Sequence, residues 1–419
     1  MTLDMVGTSA LALAILHTFS VKRLQNWSHS FPKGSALCNL LHLLAEVEVV
    51  MGLWAGLFMA YLAATQGYEE FVKYISGLNF TEPAFVFVVM SVCSTRPVLL
   101  LSQKLIFLIA RMIPLKKPVA FYAVTLVLGP LLGSLVTEPA AMTITALLLL
   151  QHLYGHNVSN NLKYATVGLL FVNVSVGGVM TSFAAPPVLM VASTWHWDSL
   201  FMLTNFGWKG ALACVLSTAV TVAWFYKELA RLPVKMEADK KRSVPLWVSL
   251  LHLGALGLIV LSSHHMIVFM WMFLFFLGLV SVTEEHQSQL KLREGLLVAF
   301  FLSGLVVLGP SQAWWLSPVV AHLETWQLYL SAAGLTAFTD NAALTYLGSQ
   351  IPTIADASKY ALVAGAIVGG GLTVIANAPN PAGYGILNSS FDGDGISPFA
   401  LFVSALPYTL IAGLCFWFL

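Results

Sequence analysis

Fourteen apolar runs follow one another along the 419 residues, and two of the gaps between them hold an acid yet are only three residues wide. Most runs are long enough for a membrane helix of about 20 residues. In lipid the backbone must satisfy its own hydrogen bonds, so each run is expected to be helical. Only 9% of the chain is charged and 58% is hydrophobic, too little charge to clothe a soluble globule. A net charge of +1 leaves no basic face for nucleic acid. The four cysteines, Cys38, Cys93, Cys214 and Cys415, lie far apart in apolar runs. They read as small buried hydrophobes, not as disulfides or metal ligands. Residues 3–21 lead into Lys22-Arg23, so no cleavable signal peptide is expected.

The narrow gaps are Thr137-Glu138-Pro139, between runs 118–136 and 140–153, and Thr339-Asp340-Asn341, between runs 326–338 and 342–350. Three polar residues cannot form an exposed loop between two full crossings. They read as the tips of re-entrant hairpins, which are tolerated at membrane depth only inside protein or beside a wet cavity. With both pairs taken as hairpins, loops 22–35, 102–117, 154–163, 227–244 and 283–293 fall on one side and hold sixteen Lys and Arg. The opposite loops hold three, Lys73, Lys209 and Lys359. The positive-inside rule then makes the basic side cytoplasmic and puts both termini outside. The expected fold is an all-α polytopic membrane protein of about ten transmembrane helices plus two re-entrant hairpins.

The two halves repeat one another. Residues 137–143 read TEPAAMT and 339–345 read TDNAALT. Behind each tip comes a Gly-rich break inside an apolar run. The first holds Gly177, Gly178, Ala185 and Pro186; the second holds Gly370, Gly371, Ala378, Pro379 and Asn380. Setting Gly178 on Gly371 sets Ala185-Pro186 on Ala378-Pro379, and the charge pattern turns the halves over relative to one another. The expected organisation is an N-terminal helix and loop (1–36), a first inverted repeat (37–226, hairpin 118–153), a basic linker (227–244) and a second repeat (245–419, hairpin 326–350). Interrupted hydrophobic segments at matching positions of two halves point to a secondary-transporter site. Close packing or kinking is the alternative use of such glycines and prolines.

Glu138 and Asp340 are the central candidates for ion or proton binding. Burial favours the protonated form of a carboxyl group, and a bound cation favours the charged form. Such a group holds a proton or a metal cation, and that competition is a physical basis for exchange. Thr137, Thr339, Asn341, Thr143 and Thr345 offer neutral oxygens at the tips; Asn173, Thr181, Ser182, Asn377 and Asn380 offer more at the breaks. Capping of the following helix is the competing role for both acids. Glu46 and Glu48 also lie inside an apolar run, on nearly opposite faces of any helix through both. They suit a second proton site or an ion pair with Arg96. His152 and His156 are one turn apart at the inner end of the first hairpin, a weak metal or pH signal. No nucleophile–base arrangement or phosphate-binding loop is present, so no enzyme and no cofactor are expected.

The two polar tips, each followed by a Gly-Gly and Pro-broken span, resemble the ion transporter superfamily. The tips lack the Ser-Asn-Thr of its dicarboxylate branch, and Asp340-Asn341 is similar to the Asp-Asn pair of its antiporter branch. GGVMTSFAAPPVLMVA (177–192), TDNAALTYLGS (339–349) and NAPNPAGYGIL (377–387) are most similar to the putative sodium/proton antiporter family. The resemblance implies a scaffold part, a transport part holding both hairpins, a homodimer, and exchange of Na+ or Li+ for protons across a bacterial inner membrane. A sodium-coupled carrier of a small organic or inorganic anion is the alternative, disfavoured by two tip acids unless a cation binds first. A channel or inert scaffold fits poorly, because inverted repeats serve alternating access.

Overall fold

The computed structural model describes residues 2–233, 244–391, 393 and 395–419, and every regular element among them is helical. Four helices are long and apolar enough to cross a membrane: Val47–Gln66, Lys117–Val136, Ser199–Leu229 and Pro398–Phe418. Three bent pairs raise the number to seven if each is one span. Leu246–Leu261 and Met266–Val282 are shorter apolar helices. The chain is therefore an integral membrane protein. The linker expected at 227–244 falls outside the described residues from 234 to 243; its start is the last turn of the helix Trp208–Leu229.

The chain divides into two compact units. The first comprises Met1–Phe87, Leu292–Leu323 and Tyr346–Ile354. Its helices Val47–Gln66 and Leu292–Leu308 approach through glycines: a Cβ on Gly304 would lie 2.4 Å from the Met51 carbonyl carbon, and one on Gly52 2.3 Å from the Phe300 ring. Tyr74 donates its hydroxyl to the Val307 carbonyl at 2.7 Å. The apolar run 37–64 is not one helix. It breaks at Glu46, whose backbone is extended (φ −87°, ψ 115°), between Ala36–Leu44 and Val47–Gln66. Glu46 and Glu48 thus flank a helix start, and Glu46 pairs with Arg293 at 2.5 Å.

The second unit comprises Val88–Lys291, Glu324–Thr345 and Ala355–Leu419. Its centre is the helix Asn160–Gly177, buried without interruption from Thr166 to Gly177. A helix apolar all round belongs in the interior. It continues, after the break at 178–185, into Pro186–Trp195, and Asp356–Gly369 continues after its own break into Asn380–Leu387. Both broken runs expected from the sequence are therefore interrupted at their glycines. The two cross tightly: a Cβ on Gly371 would lie 2.4 Å from Val172 Cα, and Ser175 Oγ donates to the Ile367 carbonyl at 2.7 Å.

The segments read as two hairpins pack in different ways. Lys117–Val136 folds back on Glu138–Leu149, with Gly129 against Thr145 and Gly133 against Ala141. Thr325–Thr336 instead lies along Asp356–Gly369, where Gly365 and Gly369 meet the carbonyls of Tyr329 and Ala333. Small residues one turn apart allow backbones this close. Residues 102–112, read as loop, continue the helix Arg96–Met112. Its buried face is Val98, Ser102, Ile106, Phe107 and Ala110, while Lys104, Leu108 and Arg111 are exposed. A two-faced helix with basic residues on its open face suits a membrane interface.

Candidate functional site

Lys117–Val136 ends at Thr137, and the chain reverses there in one residue. Thr137 takes φ +79° and ψ 147°, a region that costs a β-branched residue of order 1–3 kcal/mol. Pro139 follows at the second helical position, where a missing N–H removes no helix bond. The tight turn delivers Glu138 into the interior with no exposed surface.

Glu138 is held from the other half of the chain. Asn377 Nδ2 donates to Glu138 Oε2 at 2.9 Å. Glu138 Oε1 is buried without a hydrogen-bond partner. Gly178 in the first break makes room for the carboxylate, since a Cβ there would lie 2.5 Å from Glu138 Cγ. The residue before Asn377 ties down the other tip, because the Asn341 N–H donates to the Ala376 carbonyl at 3.0 Å. One stretch of the second break therefore engages both tips.

Several neutral oxygens in this unit also lack partners: Asn341 Oδ1, Asn377 Oδ1, Asn380 Oδ1 and Thr137 Oγ1 are all buried and unsatisfied. Buried polar atoms are ordinarily paired, and these four stand unpaired on the two tips and the second break. Asn341 packs against Gly370 and Asn380 donates to the Gly370 and Thr373 carbonyls at 2.8 Å each. The breaks are fastened to the helices before the tips by matching contacts. Thr181 Oγ1 donates to the Ser134 carbonyl at 2.6 Å, and Thr373 Oγ1 to the Ala337 carbonyl at 2.9 Å.

The two acids differ. Asp340 Oδ1 accepts from the N–H groups of Ala342 and Ala343 at 2.8 and 3.2 Å and so caps the helix Asn341–Ser349. Glu138 is engaged by a side-chain amide. Among the other candidates, Thr143 bonds to the Pro139 carbonyl, Thr345 to the Ala342 carbonyl, and Ser182 Oγ to Ser199 Oγ. Thr339 is half-buried at the second tip. Asn173 sits beside an interior proline: Pro130 has no N–H for the Leu126 carbonyl, and Asn173 Nδ2 donates to that oxygen at 2.7 Å. A proline inside a membrane helix needs such a substitute donor. His152 is buried against Phe121 and donates from Nδ1 to the Leu148 carbonyl at 3.0 Å, whereas His156 lines a surface cavity near Lys227 and Arg231. No group of three or more His, Cys, Asp and Glu suited to a metal ion occurs among the described residues.

Sequence reasoning missed two contributors. Ser134 Oγ bridges the break, donating to the Gly177 carbonyl at 2.8 Å and accepting from the Met180 N–H at 3.0 Å. Ser175 pins the crossing of the two broken runs. Both are serines inside apolar runs, and that anomaly was the available signal.

No curated protein matches the chain. A family model described as putative Na+/H+ antiporter matches residues 2–419. With a match over almost its whole length, the chain belongs to the putative Na+/H+ antiporter family.

Proposed function

We propose that the protein exchanges Na+ or Li+ for protons, with Glu138 as the group that holds either. The observation that carries this reading is a fully buried carboxylate with one oxygen fixed by Asn377 and the other unengaged. A carboxylate inside a membrane protein is costly unless it is paired or protonated. With no Lys or Arg bound to it among the described residues, a proton or a small cation is the natural counter-charge, and the two compete for one site. Asn341, Asn377, Asn380 and Thr137 supply neutral oxygens, and the broken helices supply freed carbonyls, which together suit a hard cation. Asp340 fixes the second tip by capping its helix. The protein is thus read as a transporter and not an enzyme, with no cofactor besides the transported ion.

The same reading places ten spans and two re-entrant hairpins in two inverted repeats, with the basic loops in the cytoplasm of a bacterial inner membrane and a homodimer as the working form. It is supported by the charge asymmetry of the loops, by breaks at matching glycines, and by the gathering of every tip and break residue into one compact unit. That unit is the candidate transport part and the other unit the candidate scaffold.

The test is proton flux in liposomes containing the purified protein, scanned over Na+, Li+ and K+. Glu138→Gln keeps the amide contact geometry and removes the exchangeable charge. Cation-dependent proton flux falls to background if Glu138 is the exchanging group. Full exchange by Glu138→Gln sinks the assignment, and sodium-dependent anion uptake without proton exchange selects the alternative carrier.

A further inference from the structure

Arg96 is a cation set among apolar residues, with no acid paired to it among the described residues. Its Nε is buried without a hydrogen-bond partner. The ion pairs among the described residues engage other groups, and none includes Arg96. A guanidinium in such surroundings calls for an anion.

The space beside it has the shape of a two-part ligand. Arg96 lines a cavity of about 670 Å³ in the second unit. Gln103 and Gln151 supply polar groups, while Leu100, Leu147 and Leu148 form an apolar wall. Leu147 is half-exposed, so the apolar wall is open on one side. A free phosphate would use the Arg96 end and leave the leucines bare. An anionic amphiphile would use both.

The location favours a lipid. Arg96 starts the helix Arg96–Met112, whose open face carries Lys104 and Arg111. Under the positive-inside reading this helix borders the cytoplasmic leaflet, where anionic phospholipids attract basic residues. We propose that the cavity binds the phosphate of an anionic phospholipid at Arg96, Gln103 and Gln151, with an acyl chain against Leu100, Leu147 and Leu148. Leu147 and Leu148 belong to the helix that begins at Glu138, so a bound lipid braces the arm that carries the exchanging carboxylate. The proposal depends on the cytoplasmic placement of this helix and not on which ion is exchanged.

The experiment is a thermal-unfolding titration of the purified full-length protein in zwitterionic detergent, which reads binding without transport. Phosphatidylglycerol raises the melting temperature saturably, whereas phosphatidylcholine and inorganic phosphate do not. Arg96→Gln shifts the half-saturating lipid concentration upward by about fivefold, as expected for one basic contact to an anionic headgroup. Leu147→Trp, which narrows the cavity and keeps the charge, shifts it upward too, and it decides the matter should Arg96→Gln not purify. An unchanged titration in the variants overturns the proposal, as does an equal response to phosphatidylcholine or to inorganic phosphate alone.

Discussion

Asn377 donates its side-chain amide to the carboxylate of Glu138 across 239 positions of sequence, at 2.9 Å. The contact joins the break of the second half to the tip of the first. Replacing Asn377 by Ala leaves the carboxylate with neither oxygen engaged. Hydrogen bonds to charged groups contribute about 1.5–3 kcal/mol, so the half-saturating Na+ concentration of Asn377→Ala should change by at least about tenfold in a proteoliposome flux assay. Unchanged cation dependence would remove Asn377 from the site.

Asp340 and Glu138 should separate by mutation. Asp340→Asn keeps an acceptor for the N–H groups of Ala342 and Ala343 and should retain exchange within a few-fold. Asp340→Ala removes the cap and should lower stability by about 0.5–2 kcal/mol, read as a lower melting temperature. Loss of exchange in Asp340→Asn at wild-type stability would give its charge a direct part in transport.

Thr137 offers a way to test backbone strain. Thr137→Gly relieves the positive φ, a gain of roughly 1–3 kcal/mol that glycine's extra unfolded-state freedom offsets in part. The variant should be at least as stable as the parent and slower in turnover, because the turn no longer fixes Glu138. Thr137→Val keeps the turn but removes Oγ1, so a weakened cation dependence there would make the hydroxyl a ligand.

Glycine contacts predict opposite outcomes at two positions. Gly178→Ala drives a methyl group into Glu138 and should abolish exchange. Gly254 in the helix Leu246–Leu261 has open space around its Cβ direction, so Gly254→Ala should raise stability by about 0.5–1 kcal/mol. Melting curves and flux on the same preparations check both.

The proline inside the helix Lys117–Val136 predicts a compensating pair. Asn173→Ala leaves the Leu126 carbonyl unpaired, at a cost of about 1–3 kcal/mol. Pro130→Ala restores an N–H at that helix position, so the double variant should recover most of the loss. Additive losses in the double variant would show that Asn173 does not act through Leu126.

Much of this was legible in the sequence because polar residues are scarce in it. Glu138, Asn377, Asn341 and the two glycine pairs stand out against apolar runs, and the structure puts them in one unit. Partners were not legible. Glu46 finds Arg293 and Asn173 finds the carbonyl left by Pro130, and spacing along one run carries no trace of either. The break at Glu46 was hidden for the same reason: hydropathy continues through it, and the charge that Glu46 meets lies far along the chain. The different packing of the two hairpin segments arose from Gly365 and Gly369, whose lack of side chains draws Thr325–Thr336 against Asp356–Gly369.

At the crossing of the broken runs, Gly371 has no room for even a methyl group beside Val172, and Ser175 reaches across to Ile367. Neither half of the chain can be lifted away without exposing an interior built from the other. If the gene arose by joining two copies of a shorter one, the junction became irreversible here. On that history each copy gave up a symmetric surface: both tips keep an acid, Glu138 and Asp340, but only the second break carries the amide, Asn377, that holds Glu138.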